Sequence, residues 1–277
     1  MRKEKRCVGF QMLELLILAL AGSAAAGLWD LRTTEVPDEI PVVMSAVGLF
    51  YWCVASLQAE SIYPFAVSLA SGMAFLAPGL ILYKAGKWGA ADAWVPASVM
   101  FLLPIYGGKM MLADYAFNFF VVSSAYMIVY SIILGAMNRH VFPLFVKDFV
   151  ASRSALMMIL GYAVIVAILA YLFVQKGASL APLGYSFASV AFLVAFWRYA
   201  TVVEANVFRK TIDAARVREG DVLEDMIWIG LTKAQAEDVR KKGGKVVIKE
   251  GVRFVPVFSL TLAATLLYGN LVFYLFL

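Results

Sequence analysis

The sequence has little of what most catalytic centres are built from. Its 277 residues include one histidine, His140, and two cysteines, Cys7 and Cys53. No His or Cys pair stands at metal-ligand spacing, which argues against zinc. A Ser-His-Asp triad would have to use His140 without a nucleophile-elbow motif to support it. Two isolated thiols supply no disulfide framework. Charge is scarce too: 16% of the residues are charged and 62% are hydrophobic, with a mean hydropathy of +0.81. A soluble domain carries roughly a quarter charged residues. The composition therefore excludes a soluble enzyme and a disordered chain. It leaves an all-α polytopic membrane protein, because the apolar stretches are continuous rather than alternating as a membrane barrel requires. The net charge of +5 reports topology, and no nucleic-acid partner is implied.

Eight apolar segments are expected as spans: 9–28, 40–58, 62–83, 93–107, 116–137, 154–174, 180–203 and 254–276. The first is not read as a cleavable signal peptide, since it runs into Trp29-Asp30-Leu31-Arg32 without a small-residue cleavage site. The fourth holds Pro96 and Pro104 and is expected to be short, tilted or re-entrant. Alternation puts 18 of the 24 Lys and Arg on one side, leaving Arg2, Lys3, Lys5, Arg6, Lys109 and Lys176 on the other. The basic-rich side is expected to be cytoplasmic, although the basic tail 1–6 dissents. Three regions follow: helices 1–7 over 1–203, a cytoplasmic segment at 204–253, and a final helix within 254–277. In the polar segment, 225–229 and 245–249 read as strands. Thr232 with Gln235 reads as a capping box, and Gly243-Gly244 as the stop of the helix between them.

Acids at or inside spans are costly and mark candidate sites. Three stand out: Glu14, Asp30 and Asp92. Glu14 and Asp30 share a helix and lie roughly 24 Å apart at the usual rise, too far to share a proton. Asp30 ends span 1 and Asp92 begins span 4, so both fall at one membrane face. Two close carboxylates cannot both ionise cheaply, so the pair holds one proton. The ionised member takes a proton from water while the other donates to a carbonyl oxygen. On spacing alone, helix capping or a place in the headgroup layer is the favoured explanation of each Asp.

Local sequence adds to this. Residues 30–38 read D-L-R-T-T-E-V-P-D, 89–92 read G-A-A-D and 251–256 read G-V-R-F-V-P. This ordered set resembles the archaeal type IV prepilin and preflagellin (prearchaellin) peptidases, membrane aspartic proteases of the GxGD type. The resemblance implies that Asp30 and Asp92 are the catalytic pair and that no cofactor is needed. It implies precursors of pilin-like proteins as substrates, cut at the cytoplasmic face of the cell membrane. Ala91 replaces the second glycine of GxGD, and Trp94 stands where many relatives have lysine. Spans 154–174 and 180–203 form a hairpin beyond the six helices of compact members. The paired C-x-x-C of bacterial relatives is absent, so their N-methyltransferase activity is not implied.

Four further residues are candidates for substrate binding. Gly89 sits in a side-chain-poor loop where a substrate backbone can approach Asp92, or where the chain simply turns. Glu35 and Asp38 contribute to a net −3 over 28–40 that could orient a basic leader. Asp38 also suits the N-terminus of span 2. Arg32 faces either lipid phosphates or Asp38. Glu14 is expected to be structural and His140 a solvated loop residue. Two alternatives have different consequences: an ion-coupled transporter using both acids, and a presenilin-like protease. The latter would place its first Asp inside a helix, within a Tyr-Asp pair.

Overall fold

A computed structural model describes residues 2–177, 179–223, 230–249 and 251–273, without the side chains of 2–12. The strand expected at 225–229 lies outside the described residues. The chain is a polytopic helical membrane protein. Among the described residues, six stretches are long and apolar enough to cross a bilayer: Leu13–Thr33, Glu39–Gln58, Tyr63–Lys84, Leu112–Met137, Arg153–Gln175 and Ala181–Phe208. Two compact units are present. One is Met1–Tyr126, Arg218–Gln235 and Gly251–Leu277; the other is Met127–Val217 and Ala236–Glu250.

In the first unit, helices α1 (Arg2–Thr33), α2 (Glu39–Gln58), α3 (Tyr63–Lys84) and α10 (Pro256–Tyr268) gather around α4 (Ala90–Leu102). The α4 sequence AADAWVPASVMFL is apolar nearly all round, and every residue from Val95 to Leu103 is buried. A helix with no polar face belongs inside a bundle. Gly72 and Gly79 of α3 admit it closely: a Cβ at either would meet Phe101 or Ala93 of α4 at under 3 Å. Its 13 residues span about 20 Å, short of a ~30 Å hydrocarbon core. The expected span 93–107 is thus cut off at Leu102. Pro104 follows, and then β1 (Ile105–Tyr106) pairs with β2 (Lys109–Met110) across Gly107-Gly108. Both glycines have positive φ, 59° and 77°, as a tight primed hairpin turn demands. The freed carbonyls at the end of α4 find side-chain donors. Ser68 Oγ donates to Phe101 O at 2.8 Å, and Trp52 Nε1 to Leu102 O at 3.1 Å. Without them these groups would sit unpaired in an apolar interior.

The helix α10 is held by one face of α5 (Leu112–Met137). Tyr115 Oη donates to Phe258 O, and Tyr126 Oη to Arg253 O. Asn118 Nδ2 donates to Thr265 Oγ1 and Gly269 O, and its Oδ1 accepts the Leu271 amide at 2.8 Å. The last helix was expected to run through 254–276. It is interrupted after Tyr268, where Gly269 takes φ +67° and the buried Asn118 caps the break; residues 272–273 are helical again, and 274–276 lie outside the described residues.

In the second unit, α7 (Arg153–Gln175) and α8 (Ala181–Val203) pair as a hairpin, with α6 (Val141–Ala151) against α8. The expected loop 138–153 is therefore mostly helix. Arg198 holds Asp148 of α6 through three hydrogen bonds of 2.6–2.9 Å. His140 is exposed at the start of α6. Strand β3 (Arg209–Asp213) precedes β4 (Val222–Leu223), α9 (Lys233–Lys242) and β5 (Lys245–Lys249). Strand β5 matches the expected 245–249, and it pairs antiparallel with β3 from Arg209↔Lys249 to Asp213↔Lys245. The Thr232–Gln235 capping box is formed in both directions, at 2.9 and 3.4 Å.

Replacing Asn118 by Ala orphans the Leu271 amide and the Gly269 carbonyl, each costing on the order of 1–3 kcal/mol. Asn118→Ala is expected to lower the thermal midpoint in detergent by several degrees, whereas exposed Ser124→Ala leaves it unchanged.

Candidate active site

Asp30 and Asp92 are both brought into the first unit, each from a different helix end. Asp30 lies in the last turn of α1, which continues to Thr33. It was expected at the helix end; it is helical and only 5% exposed. A carboxylate so enclosed needs hydrogen-bond donors. Its Oδ2 accepts the Val255 amide at 3.1 Å. Val255 is the N-cap of α10, so Asp30 sits at the positive end of that helix. The Arg253 guanidinium lies within electrostatic reach of it.

Asp92 is partly buried in the first turn of α4. Its Oδ2 accepts the amide of the N-cap Gly89 at 3.0 Å, the reciprocal arm of a capping box. The two carboxylates therefore share one design. Each has one oxygen pinned by the amide of a helix N-cap, and neither Oδ1 has a hydrogen-bond partner among the described residues. They also feel each other. Burial pushes the Asp92 carboxyl up to about 7, the Gly89 amide pulls it down, and the neighbouring Asp30 charge adds to the rise.

The loop that delivers Asp92 is shaped by Gly86 rather than Gly89. Gly86 has φ +65° and closes α3 in a Schellman motif, with Gly86 N–H on Tyr83 O and Lys87 N–H on Leu82 O. Gly89 has an ordinary φ of −76°, and an added Cβ would meet only Asp92 Oδ2, at 3.4 Å. It is exposed beside the carboxylate.

The other candidates are not drawn into the pair. Glu35 is exposed, and its Oε1 stands over Gly220, where a Cβ would come within 2.6 Å of it. Asp38 takes the N-cap position of α2 with helical φ and ψ and makes no side-chain cap. The capping expected of it is absent, because with that backbone its own side chain does not reach the amides ahead. Arg32 is exposed. Glu14 is exposed on α1 and lines a cavity of about 280 Å³ with Tyr51 and Gln58. Among the described residues, no three His, Cys, Asp or Glu side chains converge as a metal site needs.

Val255, Arg253 and Gly27 received no role from the sequence, although 251–256 was singled out as a motif. The signal lay in that motif; the contact it makes, 225 residues away along the chain, did not. The helical setting of Asp30 also removes one criterion against a presenilin-like enzyme. The Trp29-Asp30 pair in place of Tyr-Asp remains.

Residues 17–137, the stretch that carries both acids, match the model of the type IV leader peptidase family. The 251–256 turn lies beyond the matched residues. No curated protein and no solved structure matches the chain.

The rise at Asp92 has a consequence for stability. An acid raised in the fold favours the folded state fully while protonated, below about pH 4, and that benefit is lost as pH climbs through about 7. Asp92→Asn, which cannot ionise, is expected to raise the thermal midpoint in detergent at pH 8.5 and to leave it nearly unchanged at pH 4. The ceiling on the gain is about 4 kcal/mol. An equal offset at both pH values would show that Asp92 carries no such penalty.

Proposed function

We propose that this chain is a membrane aspartic endopeptidase that removes the short basic leader from type IV pilin-like precursors, prepilins or prearchaellins, at the cytoplasmic face. The reading is carried by one observation: Asp30 and Asp92 lie within each other's field, each with Oδ2 tied to a helix-end amide. The match of residues 17–137 to the type IV leader peptidase family supports it.

The chemistry follows from the two acids. A water between the free oxygens loses a proton to Asp30 as its oxygen attacks the scissile carbonyl. Asp92, which carries the proton near neutrality, gives it to the carbonyl oxygen. The resulting gem-diol collapses: a diol hydroxyl returns its proton to Asp92, and Asp30 passes its proton to the departing amine. The C–N bond breaks and the pair regains its single shared proton. The pinned Oδ2 atoms keep both carboxylates oriented through the cycle. The exposed Gly89 next to Asp92 suits the approach of an extended backbone, and the acids Glu35 and Asp38, which follow Asp30 in sequence, suit a basic leader.

Co-expression with a tagged precursor tests this. Wild type is expected to shorten the precursor, while Asp30→Asn and Asp92→Asn each reduce cleavage at least 1,000-fold with normal membrane insertion. Full processing by either variant would remove the acid pair from the mechanism. Ion flux through proteoliposomes without cleavage would favour a carrier instead.

A further inference from the structure

The Asp30–Val255 hydrogen bond depends on how closely two helices approach. Gly27 stands one turn before Asp30 on α1 and faces Pro256, the first residue of α10. A Cβ at Gly27 would lie 3.0 Å from Pro256 Cα and 3.3 Å from Pro256 N. These are backbone atoms, so no side-chain rotation can relieve the contact. Nor is the 253–258 turn free to retreat. Tyr126 Oη donates to Arg253 O, Tyr115 Oη donates to Phe258 O, and Phe119 stacks on Phe258 at 5.7 Å. The turn is wedged between α1 and α5. Asp30 sits behind the same contact, with a 3.1 Å bond already near the long end of the usual range.

We propose that Gly27 is a positioning residue for the reaction: its missing side chain lets the N-terminus of α10 close on α1, so that the Val255 amide fixes Asp30 Oδ2 and leaves Oδ1 for the water. This rests on the reading of Asp30 as a catalytic carboxylate. A Cβ at Gly27 pushes the helices apart by a few tenths of an ångström, and a branched side chain by more. Losing a charge-assisted hydrogen bond frees the carboxylate to rotate, and rotation lowers turnover rather than substrate affinity.

Two measurements on the purified full chain decide the matter. The first is cleavage of a tagged precursor by wild type, Asp30→Asn, Gly27→Ala and Gly27→Val. Gly161→Ala on α7 is the control, because a Cβ there meets nothing within 4 Å. Expected is a graded fall in kcat, roughly 3–10-fold for Ala and 10–100-fold for Val, with KM within about threefold and no change for Gly161→Ala. The second is hydrogen exchange at the Val255 amide, which needs no activity: slow in wild type, faster in Gly27→Val and in Asp30→Ala. Should Gly27→Val not fold, Gly27→Ala decides alone. Undiminished kcat in the glycine variants, or amide exchange that matches wild type, overturns the proposal. Cleavage by Asp30→Asn overturns the protease reading separately, whatever the glycine variants do.

Discussion

A carboxylate shut away in a largely apolar bundle must be hydrogen-bonded, and Asp30 obtains its donor from the far end of the chain. The Val255 amide ties the last turn of α1 to the first residue of α10, across 225 positions. That bond requires α1 to carry no side chain at Gly27. It requires α10 to begin at Pro256, so that the Val255 amide is spare. It also requires α5 to press the intervening turn inward through Tyr115, Phe119 and Tyr126. Helix N-termini are natural seats for negative charge, and the site uses two of them.

The shortness of α4 has the same logic. A full span would carry its N-terminus and its C-terminus to opposite faces, with both ends wet. A 13-residue helix surrounded by α1, α2 and α3 instead ends inside the bundle, and its terminal carbonyls depend on Ser68 and Trp52. In exchange, its first turn is set at a fixed depth by contacts all round, Gly72 and Gly79 among them. Asp92 therefore rides on the most tightly packed element of the unit, and its own loop amide holds the carboxylate. Catalytic groups on rigid elements keep their geometry better than groups on loops.

Of the polar stretch 204–253, residues 218–223 and 230–235 pack in the unit that contains Asp30 and Asp92, with Gly220 beneath Glu35, while 204–217 and 236–249 belong to the other unit. The buried Leu231 is clasped by two backbone hydrogen bonds, from Gly220 N–H to Leu231 O and from Leu231 N–H to Asp221 O. The acidic segment after Asp30 thus has a neighbour that hydropathy alone does not reveal.

The sequence by itself determined the membrane class, because 62% apolar composition leaves no other way to shelter the side chains. It also determined which acids to suspect, and that 245–249 is a strand and Thr232 a helix start, since alternation and capping are local. It overstated the span at 93–107 and missed the interruption at Gly269 within 254–276: hydropathy counts apolar residues and cannot see that α4 ends before Pro104 or that α10 breaks at Gly269. It read 138–153 as a loop because an 11-residue amphipathic helix is too short to register as a span. What only the tertiary structure decided is the pairing itself. Hydrogen bonds between Asp30 and Val255, or between Asn118 and the end of α10, join residues with no regular spacing. They exist because helix packing, and not sequence distance, sets which backbone amides lie beside which side chains.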